Sequence, residues 1–166
     1  MDYTVRRART SDVRAIRRLI NANVASGRLL DKATVTLYED IQEFLVAERA
    51  DGMIAGCGAL HVMWEDLAEI RTVAVDASSR GHGVGRRLVD ALVAAAREIG
   101  VRRVFVLTFE VDFFARRGFE EIEGSPVSAE VYAELLRSYD EGVAEFLDLD
   151  SVKPNTLGNS RMLLRL

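Results

Sequence analysis

The stretch Val73-Ala74-Val75-Asp76-Ala77-Ser78-Ser79-Arg80-Gly81-His82-Gly83-Val84-Gly85-Arg86-Arg87 runs from an apolar triplet through a Ser/Gly-rich loop into a long amphipathic pattern. Glycines at 81, 83 and 85 let the backbone approach a ligand closely and take positive φ. A helix opening behind such a loop offers free N–H groups and the positive end of its dipole, which favour phosphate. Arg80 and Arg86 can add charge-assisted bonds. The chemistry is that of a diphosphate site; a plain glycine-rich turn is the alternative. Two commoner phosphate motifs fit worse. A P-loop needs Lys-Ser/Thr after its last glycine, and Arg86-Arg87 stands there. In a dinucleotide fingerprint the third glycine comes one residue later than Gly85, and the loop opens a βαβ unit, whereas antiparallel strands are expected ahead of this one.

Working outward, the helix after the loop carries Val84, Leu88, Leu92 and Ala95 on one side, with Arg86, Arg87, Asp90, Arg97 and Glu98 mostly on the other. Gly100 is its stop signal. Upstream, Leu67–Val75 reads as a strand. Phe44–Arg49 and Met53–Met63 read as a hairpin turned by Ala50-Asp51-Gly52. Further upstream, Tyr3–Arg9 reads as a strand. Ser11 offers an N-cap to a helix bearing Val13, Ile16 and Ile20, 21–28 reads as a loop, and Lys32–Ile41 as a shorter helix with Val35, Leu37 and Ile41 apolar. Downstream, the apolar run Val104–Thr108 predicts a buried central strand. Val111–Arg117 predicts a short helix closed by Gly118, and Phe119–Ile122 a short strand. Ser128 caps a helix running to Tyr139 with Val131, Leu135 and Leu136 inward, and Arg161–Leu166 is a last strand. The segment 140–159 carries the weakest pattern.

The 166 residues suit one domain spanning 1–166. A chain of that size buries roughly two-thirds of its unfolded surface and needs no disulfide. Hydrophobic residues make up 49% and charged residues 29%, with a net charge of −4, so the basic excess of a nucleic-acid binder is missing. Cys57 stands alone in an apolar stretch and reads as a small buried side chain. Two distant histidines, His61 and His82, without a cysteine cluster argue against a metal site. No apolar run approaches the ~20 residues of a membrane span, and the N-terminus lacks a signal core. The expectation is a soluble cytoplasmic protein without nucleic-acid or membrane partners.

Arg80-x-x-Gly83-x-Gly85, preceded by Val73-Ala74-Val75, resembles the acyl-CoA signature of the GNAT superfamily of N-acetyltransferases. The element order β-α-α-β-β-β-α-β-α-β, with the loop after the fourth strand, resembles it too, over roughly Tyr3 to Phe119. The resemblance implies an α/β fold with a mixed, mostly antiparallel sheet of about six or seven strands flanked by helices. The sheet would be splayed between its fourth and fifth strands. It implies acetyl-CoA as co-substrate and no metal. Backbone groups of Val73 and Val75, flanking Ala74, would pair with the pantetheine arm. The amides of Gly81, His82, Gly83, Val84 and Gly85 would take the pyrophosphate, and a homodimer is allowed.

Acetyl transfer to an amine needs a base for the ammonium proton, a donor to the thioester oxygen and an outlet for the sulfur. Glu69 is the candidate base, or else a strand carboxylate paired with Arg71. Period-2 alternation puts Glu69, Arg71 and Val73 on one face, barring a bulge. By resemblance, the N–H near Val73 is the oxygen's donor. Many GNAT members place Tyr four residues before a Gly-Phe pair. Here the pair is Gly118-Phe119 and the residue is Phe114, which donates no proton and packs instead against the cofactor arm or the core. Thr108 can reach the cofactor arm or merely end its strand.

A finer resemblance, to short-form bacterial amino-acid N-acetyltransferases of the N-acetylglutamate synthase type, is carried by several stretches. They are Leu29-Leu30-Asp31-Lys32, Glu43-Phe44-Leu45-Val46-Ala47-Glu48, Gly56-Cys57-Gly58-Ala59-Leu60-His61, Val104-Phe105-Val106-Leu107-Thr108 and Phe113-Phe114-x-x-x-Gly118-Phe119. It implies acetylation of the α-amine of glutamate, opening arginine biosynthesis. The family's usual Arg near the second helix is Lys32 here, a point charge in place of a two-pronged clamp, which brings in glutamine as acceptor. Arg71 and, more remotely, Arg161 are the other cations proposed to meet the acceptor. Another small amine, a protein N-terminus, or a non-catalytic acyl-CoA sensor are the alternatives.

Overall fold

The computed structural model describes residues 2–27, 29, 31–147 and 158–166. A seven-stranded sheet, ordered β1-β2-β3-β4-β5-β7-β6, forms its centre. The strands are β1 (Tyr3–Arg7), β2 (Phe44–Arg49), β3 (Ile54–Trp64), β4 (Leu67–Val75), β5 (Arg103–Thr108), β6 (Glu120–Glu121) and β7 (Ser160–Arg165). Every pairing is antiparallel except β4 with β5. The helices are α1 (Val13–Ala25), α2 (Thr34–Glu39), α3 (Val84–Ile99), α4 (Val111–Ala115), α5 (Ala129–Leu135) and α6 (Glu141–Phe146).

The two faces of the sheet have different tenants. α3 buries Val89, Leu92 and Ala96 against Ala68, Ile70, Val104 and Val106, with Phe114 of α4 beside them. On the opposite face α1 buries Val13, Ile16 and Ile20 against Phe44, Val46, Cys57 and Ala74. Farther along that second face, Leu135 of α5 and Val143 and Phe146 of α6 cover Leu67, Phe105 and Leu163. Glu69 belongs to this face, between the part covered by α1 and the part covered by α6.

α3 sits close to β3 because β3 has no side chain beneath it. A Cβ at Gly56 would lie 2.9 Å from Leu88 Cδ1 and 3.0 Å from Val84 Cγ1, and one at Gly58 would lie 2.8 Å from Leu92 Cδ1. Ala96, rather than the expected Ala95, is the fully buried alanine of α3.

Four local expectations need correction. Ser11 does not cap α1. Asp12 takes the N-terminal post, accepting the Arg9 N–H at 2.7 Å and pairing with Arg6 at 2.8 Å. Residues 21–25 are helical, because Asn23 turns its amide inward and donates to the Leu19 carbonyl at 2.8 Å. α2 is shorter than expected, with Val35 exposed and only Leu37 buried. The helix after Ser128 stops at Leu135, leaving Leu136 and Tyr139 exposed, and α6 follows as a separate helix.

Candidate active site

β4 and β5 pair from Leu67↔Arg103 to Ile70↔Val106, and there the ladder ends. Beyond it the edge of β4 that faces β5 has no strand partner among the described residues, and Arg71, Thr72, Val73 and Val75 line a cleft of about 520 Å³ with Leu107 and Thr108 opposite. A bulge marks the parting. The β3–β4 register slips between Cys57 and Ala59, and Thr72 takes φ 58°, a strained conformation for a β-branched residue. The slip corrects one expectation. Glu69 and Arg71 share a face, but Val73 turns to the α3 face, and Ala74 packs into the core under α1. Bulges re-aim strand residues in this way.

The floor at one end of the cleft is the glycine loop. Asp76 Oδ2 accepts the Ser78 N–H at 3.0 Å and fixes a single 3-10 turn at Ala77–Ser79. The chain then reverses through Gly81 (φ 80°) and Gly83 (φ 78°), and α3 starts at Val84. A side chain at 81 or 83 would meet nothing within 4 Å. Backbone conformation therefore fixes glycine there. Arg80, Gly81, Gly83, Val84, Gly85 and Arg86 all line the cleft, and the two arginines are exposed. Ser79 lines it as well; it is buried, and its hydroxyl has no partner among the described residues. An open helix N-terminus with two cations and an unpartnered buried donor suits a diphosphate ester. His82 is exposed, its ring nitrogen 3.1 Å from the Arg80 carbonyl oxygen, and its side chain does not line the cleft. Neither does that of Ala74.

The far wall is apolar. Phe114 is buried, edge-on to Phe113 and Phe119 with centroids 5.1 Å apart in each pair. Thr108 Oγ1 accepts the Glu110 N–H at 2.8 Å, closing the turn after β5, while Thr108 also lines the cleft.

A second, smaller hollow of about 100 Å³ adjoins the first, with Leu29, Ile70, Arg71, Thr72, Leu107 and Asn159 common to both. Lys32, Glu69, Glu141 and Glu145 are its other charged lining beside Asp31. Burial pushes the Glu69 carboxyl up to about 7, against the pull of the Arg71 charge. Glu145 is raised too, by burial first. Arg71 Nε lies 3.5 Å from Glu69 Oε1, while its Nη1 donates to both Asp140 oxygens at 2.9 and 3.0 Å.

Arg161 stands elsewhere. Its guanidinium donates to the carbonyls of Phe146 and Gly124 and stacks over the Phe105 ring at 5.0 Å. It holds the C-terminal end of α6 and lines neither hollow, so it is withdrawn as an acceptor contact. The sequence pattern did not point to Thr72, Ser79, Asp140, Glu141 or Glu145 as residues of the site. Asp140 had a signal, since an Asp followed by Glu at the head of Glu141–Phe146 is a helix start. Among the described residues no group of three or more His, Cys, Asp or Glu could hold a metal, and no helix is long and apolar enough to cross a membrane.

The mixed sheet thus opens between its two parallel strands, with the glycine loop and the N-terminus of α3 at the opening. Residues 12–119 match the Acetyltransferase (GNAT) family, and the chain belongs to it. An amino-acid acetyltransferase of Mycobacterium tuberculosis is 64% identical over 162 residues, 96% of this chain and 92% of the relative. A crystal structure of a Mycobacterium tuberculosis protein, in complex with CoA and NLQ, superimposes with a TM-score of 0.94 at 64% identity, covering 98% of this chain and 99% of that one. N-acetylglutamate synthase from Neisseria gonorrhoeae, complexed with coenzyme A and N-acetyl-glutamate, gives a TM-score of 0.79 at 27% identity. That match covers all of this chain but 35% of the gonococcal one.

Proposed function

We propose that this chain transfers the acetyl group of acetyl-CoA to the α-amine of glutamate or glutamine, at the entry to arginine biosynthesis, in the cytoplasm. The observation that carries the reading is the junction of the two hollows: at Ile70, Arg71, Thr72 and Leu107 a cleft suited to a diphosphate ester meets a small charged hollow that Glu69 lines. The 64% identical amino-acid acetyltransferase supports the acceptor class.

On this reading the amides from Gly81 to Gly85, with Arg80 and Arg86, hold the diphosphate, and the free edge at Val73 and Val75 pairs with the pantetheine arm. Glu69 accepts the proton from the acceptor's ammonium group. Burial, only partly offset by the neighbouring cation, gives it a proton affinity near neutrality, which suits a general base. The freed amine attacks the thioester carbon while the main-chain N–H beside the bulge donates to the carbonyl oxygen. The C–S bond breaks and the amide nitrogen gives up its second proton, through solvent, to the departing sulfur, since Phe114 carries no proton to give. Lys32 is the cation for the acceptor's carboxylate; Arg71, already committed to Asp140, adds charge at the floor.

Release of free thiol from acetyl-CoA, followed across a panel of amino acids, polyamines and peptides, tests this. Turnover with glutamate or glutamine is expected. Turnover confined to polyamines or peptides would replace the acceptor, and CoA binding with no turnover on any acceptor would make the chain a sensor instead.

A further inference from the structure

Asp140 lies 69 residues from Arg71 in sequence, yet its carboxylate takes both bonds of Arg71 Nη1. The same carboxylate caps α6, Oδ1 accepting the Val143 N–H at 2.9 Å. α6 lies directly over the guanidinium: a Cβ at Gly142 would fall 2.6 Å from Arg71 Cζ and Nη2. Only a residue without a side chain lets the helix approach this closely. On the other side, His61 Nε2 is 3.9 Å from Asp140 Oδ2, and His61 Nδ1 is 2.6 Å from Glu43 Oε1. Glu43, His61, Asp140, Arg71 and Glu69 thus form a continuous chain of charged and titratable groups, running from the turn before β2 through β3 and the cap of α6 to β4 and ending at the proposed base.

We infer that Asp140 is a positioning residue for acetyl transfer: it clamps the Arg71 guanidinium beneath α6 and shares its charge, so that Arg71 stands beside Glu69 without neutralising it fully. This rests on the reading of Glu69 as the base. The argument is electrostatic. An unshared guanidinium 3.5 Å away would favour the Glu69 carboxylate strongly and make it a poor proton acceptor. A second carboxylate on the far side of the guanidinium offsets that. Burial alone would raise Asp140, but the Arg71 and His61 charges hold it below the usual aspartate range, so it stays ionised through neutral pH. Among the described residues the charged groups around Glu69 are Arg71 on its own strand, His61 on β3, Asp140 and Glu145 at α6, and Asp31, Lys32 and Glu141 around the hollow. Arg71 and His61 lower its proton affinity, whereas Glu145 and Asp140 raise it.

The test is Asp140→Asn, which keeps an oxygen for the α6 cap and removes only the charge, beside Arg71→Met, which removes the cation. Two readouts are followed in the intact protein. One is the acid limb of kcat/KM against pH. The other is the Glu69 carboxyl titration, from 13C-glutamate NMR assigned with Glu69→Gln. Asp140→Asn is expected to move both midpoints down by about half a pH unit or more, and Arg71→Met to move the NMR midpoint up. An unmoved NMR midpoint in folded Asp140→Asn overturns the role given to Asp140. An NMR midpoint that moves while the acid limb stays fixed removes Glu69 as the base and, with it, Asp140 from the reaction.

Discussion

Glu69 is buried to 4% exposure, and its Oε2 has no partner among the described residues. A carboxylate so placed is not a stabilising ion pair. Its nearest cation is 3.5 Å away through Nε and is engaged by a different carboxylate. That arrangement leaves a carboxylate oxygen without a partner among the described residues, on a residue that lines the small hollow, and a base needs such an oxygen. Glu69→Gln keeps the volume and removes the proton acceptor. Turnover at pH 7 is expected to fall on the order of 10²-fold or more. The acid limb near pH 7 should vanish, and the affinity for CoA, measured by calorimetry, should stay unchanged. Persistence of the same acid limb at wild-type rate would assign the proton to another group. At this scale the sequence was partly legible. A Glu two residues before an Arg on the strand leading to the glycine loop could be read as a base. The company of Asp140 could not, because the contact spans 69 residues and no local pattern encodes it.

The element that governs the cofactor cleft is α3, and its seat is the pair of bare positions on β3. Gly56 lies under Val84, the first residue of α3. A valine there would overlap Val84, Leu88 and the Ala74 carbonyl, which is 3.2 Å from its Cβ site. The backbone oxygen cannot swing aside as a side chain does, so the helix must lift at its N-terminal end. Gly56→Val is expected to cost about 1–3 kcal/mol in urea unfolding and to weaken CoA binding several-fold in the folded fraction, since the same turn carries the loop amides. Lost stability with full CoA affinity would show that the loop is fixed independently of the helix seat. Much of this element scale was readable: the hairpin at Asp51-Gly52, β4 at its observed bounds, and the helix ended by Gly100 all follow from strong local signals. What failed had non-local causes. α1 runs past its polar stretch because the buried Asn23 bonds back to the turn above. Val73 changed faces because the bulge at Thr72 depends on the pairing with β3, which no single strand announces. α6 was missed because its apolar residues, Val143 and Phe146, are too few for a periodic pattern.

At the scale of the whole molecule, the site is a gap in an otherwise continuous core. α1 and α6 cover neighbouring parts of one face, and the charged residues between them replace the apolar contacts that would have sealed it. Such a gap makes stability depend on pH in a direction opposite to that of ordinary salt-bridged carboxylates. Glu69 titrates at about 7 in the fold against 4.5 for the free side chain, with burial as the main cause. Between those values the native state holds a proton that the unfolded chain has released. Stability from this group is therefore full below pH 4.5 and is lost as pH rises through 7. Asp12 and Asp140 act the other way, since both are lowered in the fold and contribute above the unfolded aspartate value. The total profile mixes the two, but a difference isolates Glu69. Unfolding free energies of wild type and Glu69→Gln, measured in urea from pH 5 to pH 8, are expected to diverge in favour of the variant by about 3 kcal/mol as pH rises. The gap should open around pH 5–7 and stay level beyond. A constant difference across that range would mean that Glu69 enters the fold already ionised, and the hollow would then be a structural ion-pair site rather than one holding a base.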